Sequence, residues 1–323
     1  MTLVTRRAWM HQAITALAGM AWAAKVVAAE GDVDPKPESA RGCTLGYSTY
    51  ATRGMRTEDA IRLIGQTGFD ALELALMPGY GADPENLPAA HRRGIAARIA
   101  EQGLILTALM ENLPPSEDAV HHKNDLERLR RAIALAHELS PTQLPLVQTV
   151  LGGGAWETKR TLLRDRLGDW LKLFDEAGMT LAIKPHRGGA MSRPSEAIWI
   201  FEQLGKPARL RMVYDYSHYA FRDMPLEETV RTALPWTAHI AVKDAVRDGD
   251  KVTFALPGAA GFDYAPLLRQ FYQGGYRGDV CCEVSGLVSS QEGYDPAAAA
   301  RQCYAALSRA FAAAEVPRPK RAR

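Results

Sequence analysis

Three histidines, several carboxylates and a lysine sit in or at the ends of short apolar runs in the second half of the chain. Ile183 is followed by Lys184-Pro185-His186-Arg187, and Tyr214 by Asp215-Tyr216-Ser217-His218. His239 lies in the run to Val242, which leads into Lys243-Asp244 and Arg247, and Glu283 lies in the run Asp279–Val284. Glu73 occupies an earlier run, and Glu111-Asn112 closes another. Imidazoles and carboxylates meeting at one point bind a divalent metal, exchange protons as acid and base, or grip sugar hydroxyls. A lone histidine at such a place is commonly a hydrogen-bonded structural group. His186, His218 and His239 on successive runs, beside Asp215 and Glu283, point instead to one shared mouth. Glu73 and Glu111 also have a plain reading, as partners of neighbouring basic side chains.

The elements that must position these groups repeat one pattern: a short apolar run, a Gly/Pro/Asn break, then an amphipathic stretch. Eight runs fit strands: Thr44–Tyr50, Ala71–Leu76, Leu104–Met110, Leu146–Leu151, Thr180–Ile183, Leu210–Tyr214, Ala238–Val242 and Asp279–Val284. Helix-like segments lie between them, at Thr57–Gln66, Leu126–Glu138, Lys159–Glu176, Pro194–Gln203, Leu226–Ala233, Tyr264–Gln273 and Pro296–Ala313. Strands alternating with helices imply βαβ units and a parallel sheet. Eight units predict a single (β/α)₈ TIM barrel of the α/β class, whose chemistry sits at the C-terminal strand ends. An open doubly wound sheet would carry a glycine fingerprint after its first strand, and Thr44–Ala51 has none. Gly152-Gly153-Gly154 lacks the lysine and hydroxyl residue of a phosphate-cradling loop.

Residues 1–29 predict an export leader: Arg6-Arg7, an Ala-rich apolar stretch from Ala13 to Ala24, and small residues before Glu30. That order matches a twin-arginine signal and predicts an exported, periplasmic protein. With it removed, no membrane-spanning stretch is expected. A linker over 30–42, a barrel over 43–314 and a disordered basic tail over 315–323 complete the expected organisation. The whole chain carries +2, of which Arg6, Arg7 and Lys25 belong to the leader, so the remainder is mildly acidic. That balance excludes a nucleic-acid footprint, which needs a basic face. Cys43, Cys281, Cys282 and Cys303 have neither metal-knuckle nor disulfide-framework spacing.

Between Leu45 and Ala313 the sequence resembles the xylose isomerase-like superfamily of sugar isomerases and epimerases. The likeness rests on Asp215-Tyr216-Ser217-His218, on His239-Ile240-Ala241-Val242-Lys243-Asp244, and on Pro257-Gly258-Ala259-Ala260-Gly261-Phe262-Asp263-Tyr264. Gly275-Tyr276-Arg277-Gly278-Asp279, leading to Glu283, completes it. The resemblance implies one divalent cation (Mn, Mg or Zn) held by four side chains on strands five to eight, with two glutamates moving protons between adjacent carbons. Asp215 and Glu283 match two of those ligands, His218 matches a substrate-contacting histidine, and Arg247 falls where a substrate-binding arginine is placed. Lys184 and Ala241 replace the other two ligands. Three readings follow: the Lys184 ammonium takes the cation's place; a displaced metal binds His186, Asp215, His239 and Glu283; or Lys184 neutralises orphaned carboxylates in a non-catalytic barrel.

The function expected is proton abstraction beside a carbonyl in a free or keto-sugar, ending in isomerisation, epimerisation or elimination. Glu283 is the expected base, and Lys184 or a metal the electrophile. His186 is the expected proton partner, and His218, His239, Arg247 and Glu73 the substrate contacts. The alternative is a carbohydrate-binding barrel without catalysis. The partner expected in either case is a small carbohydrate.

Overall fold

The computed structural model describes residues 42–249 and 251–319. The expected leader and all but the last residue of the expected linker lie outside the described residues. In chain order the strands are β1 (Thr44–Ser48), β2 (Ala71–Ala75), β3 (Ile105–Asn112), β4 (Leu146–Val150), β5 (Leu181–Ile183), β6 (Leu210–Tyr214) and β7 (Thr237–Val242). A hairpin, β8 (Asp244–Asp248) and β9 (Lys251–Ala255), precedes β10 (Asp279–Cys282). Eight of these close into a parallel barrel in which β10 pairs with both β7 and β1. The connecting helices are α1 (Thr57–Thr67), α2 (Ala89–Glu101), α3 (Ala119–Leu139), α4 (Trp156–Ala177), α5 (Pro194–Gln203), α6 (Leu226–Ala233) and α7 (Ala265–Gln273). The short α8 (Gly286–Ser289) and the closing α9 (Pro296–Ala313) follow β10. No described helix is long and apolar enough to cross a membrane.

Local chemistry sets the boundaries. Asp295 accepts the first free N–H groups of α9, those of Ala297 and Ala298, and Pro296 starts the helix where a missing N–H costs nothing. Gly68 ends α1 at φ 111°, a conformation that side chains with a Cβ avoid. The large core, with Leu45, Tyr47, Ile61, Leu129, Trp170, Phe174 and Phe201, lies between strands and helices.

Inside the barrel the strand period of two builds layers. Ala182, Val213 and Ala241 form a small apolar plug, with Leu146 packed against it, separate from the main core. Two residues further along the same strands stand Lys184, Asp215 and Lys243, each the first residue past its strand. Glu283 holds the same position after β10, its backbone N–H donating to the Val242 carbonyl. Two residues below Ala241 is His239, level with Asp279.

The tail departs from expectation. Residues 315–319 are placed against the barrel: Val316 is buried, and the Pro317 carbonyl accepts from Cys43 N–H at 2.9 Å. Arg318 donates to both oxygens of buried Asp70, at 2.7 and 2.9 Å. Arg318, which falls in the tail expected to be disordered, therefore serves as a charge partner for the base of the barrel; Lys320–Arg323 lie outside the described residues.

Gly46 tests the packing of the lower layer. A Cβ there would lie 2.5 Å from Asp279 Oδ2, and that carboxyl is held by Thr44 at 2.5 Å and Thr107 at 3.0 Å. Gly46→Ala should lower stability by about 1–3 kcal/mol, measured as a lower urea midpoint at unchanged m-value. An unchanged midpoint would mean that the carboxyl is free to move.

Candidate active site

Four charges close the barrel mouth. Lys184, Asp215, Lys243 and Glu283 are 2, 0, 4 and 7 % exposed, so solvent does little to screen them. Lys243 Nζ donates to Asp215 Oδ2 at 2.5 Å and to Glu283 Oε1 at 3.0 Å, bridging the carboxylates. Lys184 Nζ donates to Glu283 Oε2 and lies 4.0 Å from Asp215 Oδ2. Asp215 Oδ1 accepts from the backbone N–H and hydroxyl of Ser217, at 3.1 and 2.5 Å. Two ammonium groups and two carboxylates thus form a neutral buried quartet.

Their titration follows from that arrangement. Burial alone would raise the Glu283 carboxyl, but the ammonium groups of Lys184 and Lys243 outweigh it and bring it to about 2. For Asp215 burial is likewise overcome, by the ammonium groups of Lys243 and then Lys184, and the group is held well below the usual carboxylate range. Burial disfavours the Lys243 ammonium, yet Asp215 and Glu283 raise it above an ordinary lysine.

His186 and His218 stand beside the quartet with ring centroids 4.1 Å apart. Burial, with the neighbouring cations, lowers His186 to about 3; burial also lowers His218 despite Asp215, whose Oδ2 is 3.3 Å from His218 Nε2. Both rings are neutral at ordinary pH. His186 Nδ1 accepts the Gly188 N–H at 3.1 Å, so the ring proton sits on Nε2. The β8–β9 hairpin brings Phe254 over this group: its ring is 5.8 Å from that of His218 and 5.5 Å from Lys243 Nζ.

The structure therefore gathers Lys184, His186, Asp215, His218 and Glu283, but not His239 or Glu73. His239 and Glu73 are fully buried two layers lower, with His239 Nε2 3.3 Å from Glu73 Oε2 and Nδ1 3.9 Å from Asp279 Oδ2. Gln148 donates to the same Glu73 carboxylate. The expected convergence of three histidines is corrected by strand geometry: His239 lies four residues before the mouth position of its strand, which is two side-chain layers. Arg247 stands on β8 with 45 % of its side chain exposed, and donates to Asp223 Oδ2 and the Phe221 carbonyl, both at 3.0 Å. It braces the rim loop and makes no described contact with the quartet.

Lys243 was among the polar strand-end residues, but no role had been assigned to it. The signal was available, since it stands at the same strand-end position as Lys184, Asp215 and Glu283. Tyr50, just past β1, was also missed; burial first, then the Glu283 charge, raises its phenol, so the hydroxyl stays protonated.

These residues do not fit a divalent cation. Both carboxylates are occupied by ammonium nitrogens, and at about 4 Å each ammonium would repel a divalent ion by roughly 8 kcal/mol at an effective dielectric near 20. Among the described residues, Glu73, His239 and Cys281 bring ligand atoms within 4.8 Å of one another. There burial raises the Cys281 thiol, and Glu73 outweighs burial to raise His239, so both ligands favour their protonated forms.

The sequence model described as xylose isomerase-like TIM barrel matches residues 61–307, most of the chain. The chain belongs to the xylose isomerase-like TIM barrel family. Its architecture is similar to 3-keto-D-glucoside 4-epimerase from E. coli, with TM-score 0.66 and 17 % identity, over 83 % of this chain and 99 % of that one. D-psicose 3-epimerase with D-tagatose, from Clostridium cellulolyticum H10, has TM-score 0.68 and 16 % identity over 84 and 99 %. A xylose isomerase-like TIM barrel protein from Mycobacterium smegmatis, in complex with magnesium, has TM-score 0.64 and 15 % identity over 86 and 99 %. At these identities the likeness establishes the fold. No match was found among curated proteins.

The quartet sets an acid limit. Because the folded Glu283 carboxyl lies near 2 against 4.5 for the free group, its stabilising contribution is present above pH 4.5 and is lost as pH falls through that window. Melting temperature should fall from pH 4.5 to 2, and Glu283→Gln should show a shallower fall; an equal fall in both proteins would assign the acid limit elsewhere. Lys243→Met, which leaves two carboxylates sharing one ammonium, should cost about 3–5 kcal/mol in denaturant titration.

Proposed function

We propose that this family member is a sugar isomerase- or epimerase-type enzyme that moves a proton on the carbon beside a carbonyl, with the ammonium groups of Lys184 and Lys243 in the role of the divalent cation. The observation that carries the proposal is Lys243 bridging Asp215 and Glu283 in a dry, neutral mouth. Substrates named for its structural relatives, a 3-keto-glucoside and a ketose, support a free or keto-sugar as substrate.

In this scheme the substrate carbonyl oxygen and its neighbouring hydroxyl displace carboxylate contacts and accept hydrogen bonds from the two ammonium groups. Glu283, relieved of part of its pairing, becomes more basic and takes the C–H proton. The electron pair moves to the carbonyl oxygen as an enediolate, whose charge the ammonium groups offset before any other group must move. Returning the proton to the former carbonyl carbon, while the neighbouring hydroxyl passes its own proton to the former carbonyl oxygen and becomes the new carbonyl, isomerises the sugar. Expulsion of a β-hydroxyl ends instead in elimination: the carbonyl re-forms, a C=C bond replaces the C–O bond, and the leaving hydroxyl, hydrogen-bonded by His186 Nε2–H, takes the proton that Glu283 removed and departs as water. Epimerisation needs a second proton donor on the opposite face, where Lys184 stands in place of a glutamate, so elimination gains weight. The leader over residues 1–29 fits an exported enzyme working on free sugars, and localisation is part of this proposal.

One observation favours a second reading, a carbohydrate-binding barrel without catalysis: both carboxylates are fully paired, and Glu283 is a weak base at rest. Incubation with D-fructose, D-tagatose and a 3-keto-glucoside in D₂O separates the two. Deuterium should enter the carbon beside the carbonyl of one substrate, chelator should leave the rate unchanged, and Lys184→Ala or Lys243→Ala should slow it by about 10²–10³-fold. Binding without exchange would favour the second reading; abolition by chelator would overturn the ammonium assignment.

A further inference from the structure

The cations around the mouth are not equally committed. Lys184 and Lys243 are balanced by Asp215 and Glu283, and Arg247 is held by Asp223. Arg222 donates to the Arg187 carbonyl at 3.4 Å and lies over Phe221 at 5.3 Å. Arg187 differs. Its guanidinium has no hydrogen bond or ion pair to any described residue, although the residue is half-buried. Its contacts are two aromatic rings, Phe221 at 5.5 Å and Phe254 at 5.4 Å from Cζ.

That arrangement holds a guanidinium without using its donors. Two rings attract the cation through its face and leave its N–H edges free. A planar fork of this kind matches carboxylate or phosphate bidentately, as an ammonium does not. Both supports are part of the site: Phe254 also touches Lys243 and His218, and Phe221 is braced through its carbonyl by Arg247. The Phe254 ring that Arg187 Cζ approaches at 5.4 Å is the one that Lys243 Nζ approaches at 5.5 Å, so a single side chain links the guanidinium to the quartet.

We propose that Arg187 is a specificity-determining residue that receives an anionic group, carboxylate or phosphate, on the sugar substrate. The inference rests on the functional reading above and narrows its substrate class from sugars in general to acidic sugars. The quartet is neutral and takes the carbonyl end; Arg187, whose guanidinium has no carboxylate partner among the described residues, takes the anionic end. Arg247, where a substrate-binding arginine was expected, acts by positioning Phe221.

Calorimetric titration of the full chain with D-fructose, D-fructose 6-phosphate and 5-keto-D-gluconate tests this. One of the two acids should bind about 10- to 100-fold more tightly than the neutral ketose, and which acid wins identifies phosphate or carboxylate as the group. Arg187→Ala should lose that preference while retaining the unliganded melting temperature, and Arg187→Lys should restore only part of it, because the charge returns without the fork. No preference for either acid, or a preference that survives Arg187→Ala, overturns the proposal. Deuterium exchange in the same samples keeps the two readings apart. Acid binding without exchange defeats the catalytic reading alone. Exchange into neutral ketose at a rate that Arg187→Ala leaves unchanged, with no acid preference, defeats this inference alone.

Discussion

Charge balance in a dry space governs the mouth of this barrel. Four ionised groups that are each at most 7 % exposed survive there because two are positive, two are negative, and all are within reach of one another. Removing a partner leaves a buried charge with no compensation, which is far more costly than the pair is stabilising. The neighbouring histidines respond as well: burial first, and then the two ammonium groups, lower both imidazoles, which give up their protons. The quartet thus sets the ionisation of the whole mouth, including the weak basicity of Glu283 at rest.

The layers beneath depend on the same strand period. On β7 and β10, alternate side chains read downward as Lys243, Ala241, His239 and as Glu283, Cys281, Asp279. The apolar plug of Ala182, Val213 and Ala241 separates an upper polar group from a lower one. In the lower group burial raises Asp279 to about 6, while Thr44 and Thr107 donate to its oxygens. Its carboxyl is thus able to share protons near neutral pH, whereas the upper carboxylates are held firmly ionised. The apolar middle layer keeps these two electrostatic regimes from merging.

Much of the fold was legible because strand runs and breaks alternate clearly; α5, α6 and α9 fall within their expected bounds. The helix α2, the β8–β9 hairpin and the one-turn α8 escaped. α2 buries only Ile95 and Ile99 among thirteen residues, so its apolar stripe is too sparse to announce a helix. The β8–β9 hairpin has a readable signal in Asp248-Gly249, with Gly249 at φ 56°, but a barrel expectation leaves little room for an inserted antiparallel pair. In the site, Lys184, Asp215 and Glu283 were legible from strand ends and family resemblance. Lys243 was not, because attention to lost ligands hides a gained cation. His239 was misplaced because residue type was weighed ahead of position along the strand. Arg187 has no sequence signature at all; only its two aromatic neighbours reveal it, and they come from other elements.

The meeting of Gly42-Cys43 with Pro317 at the foot of the barrel has a topological consequence. The Cys43 N–H to Pro317 carbonyl bond, and Arg318 clasping Asp70, bring the first strand and the chain after α9 side by side. Strand β1 begins there and its far end faces the mouth, so both junctions lie on the face away from the chemistry. The connectivity of the described residues is therefore close to that of a ring: a short tether between Gly42 and Arg318 would let the barrel be reopened in another surface loop without rewiring it. Gly42 and Pro317 thus share the face opposite the one that presents Lys184, Asp215, Lys243 and Glu283.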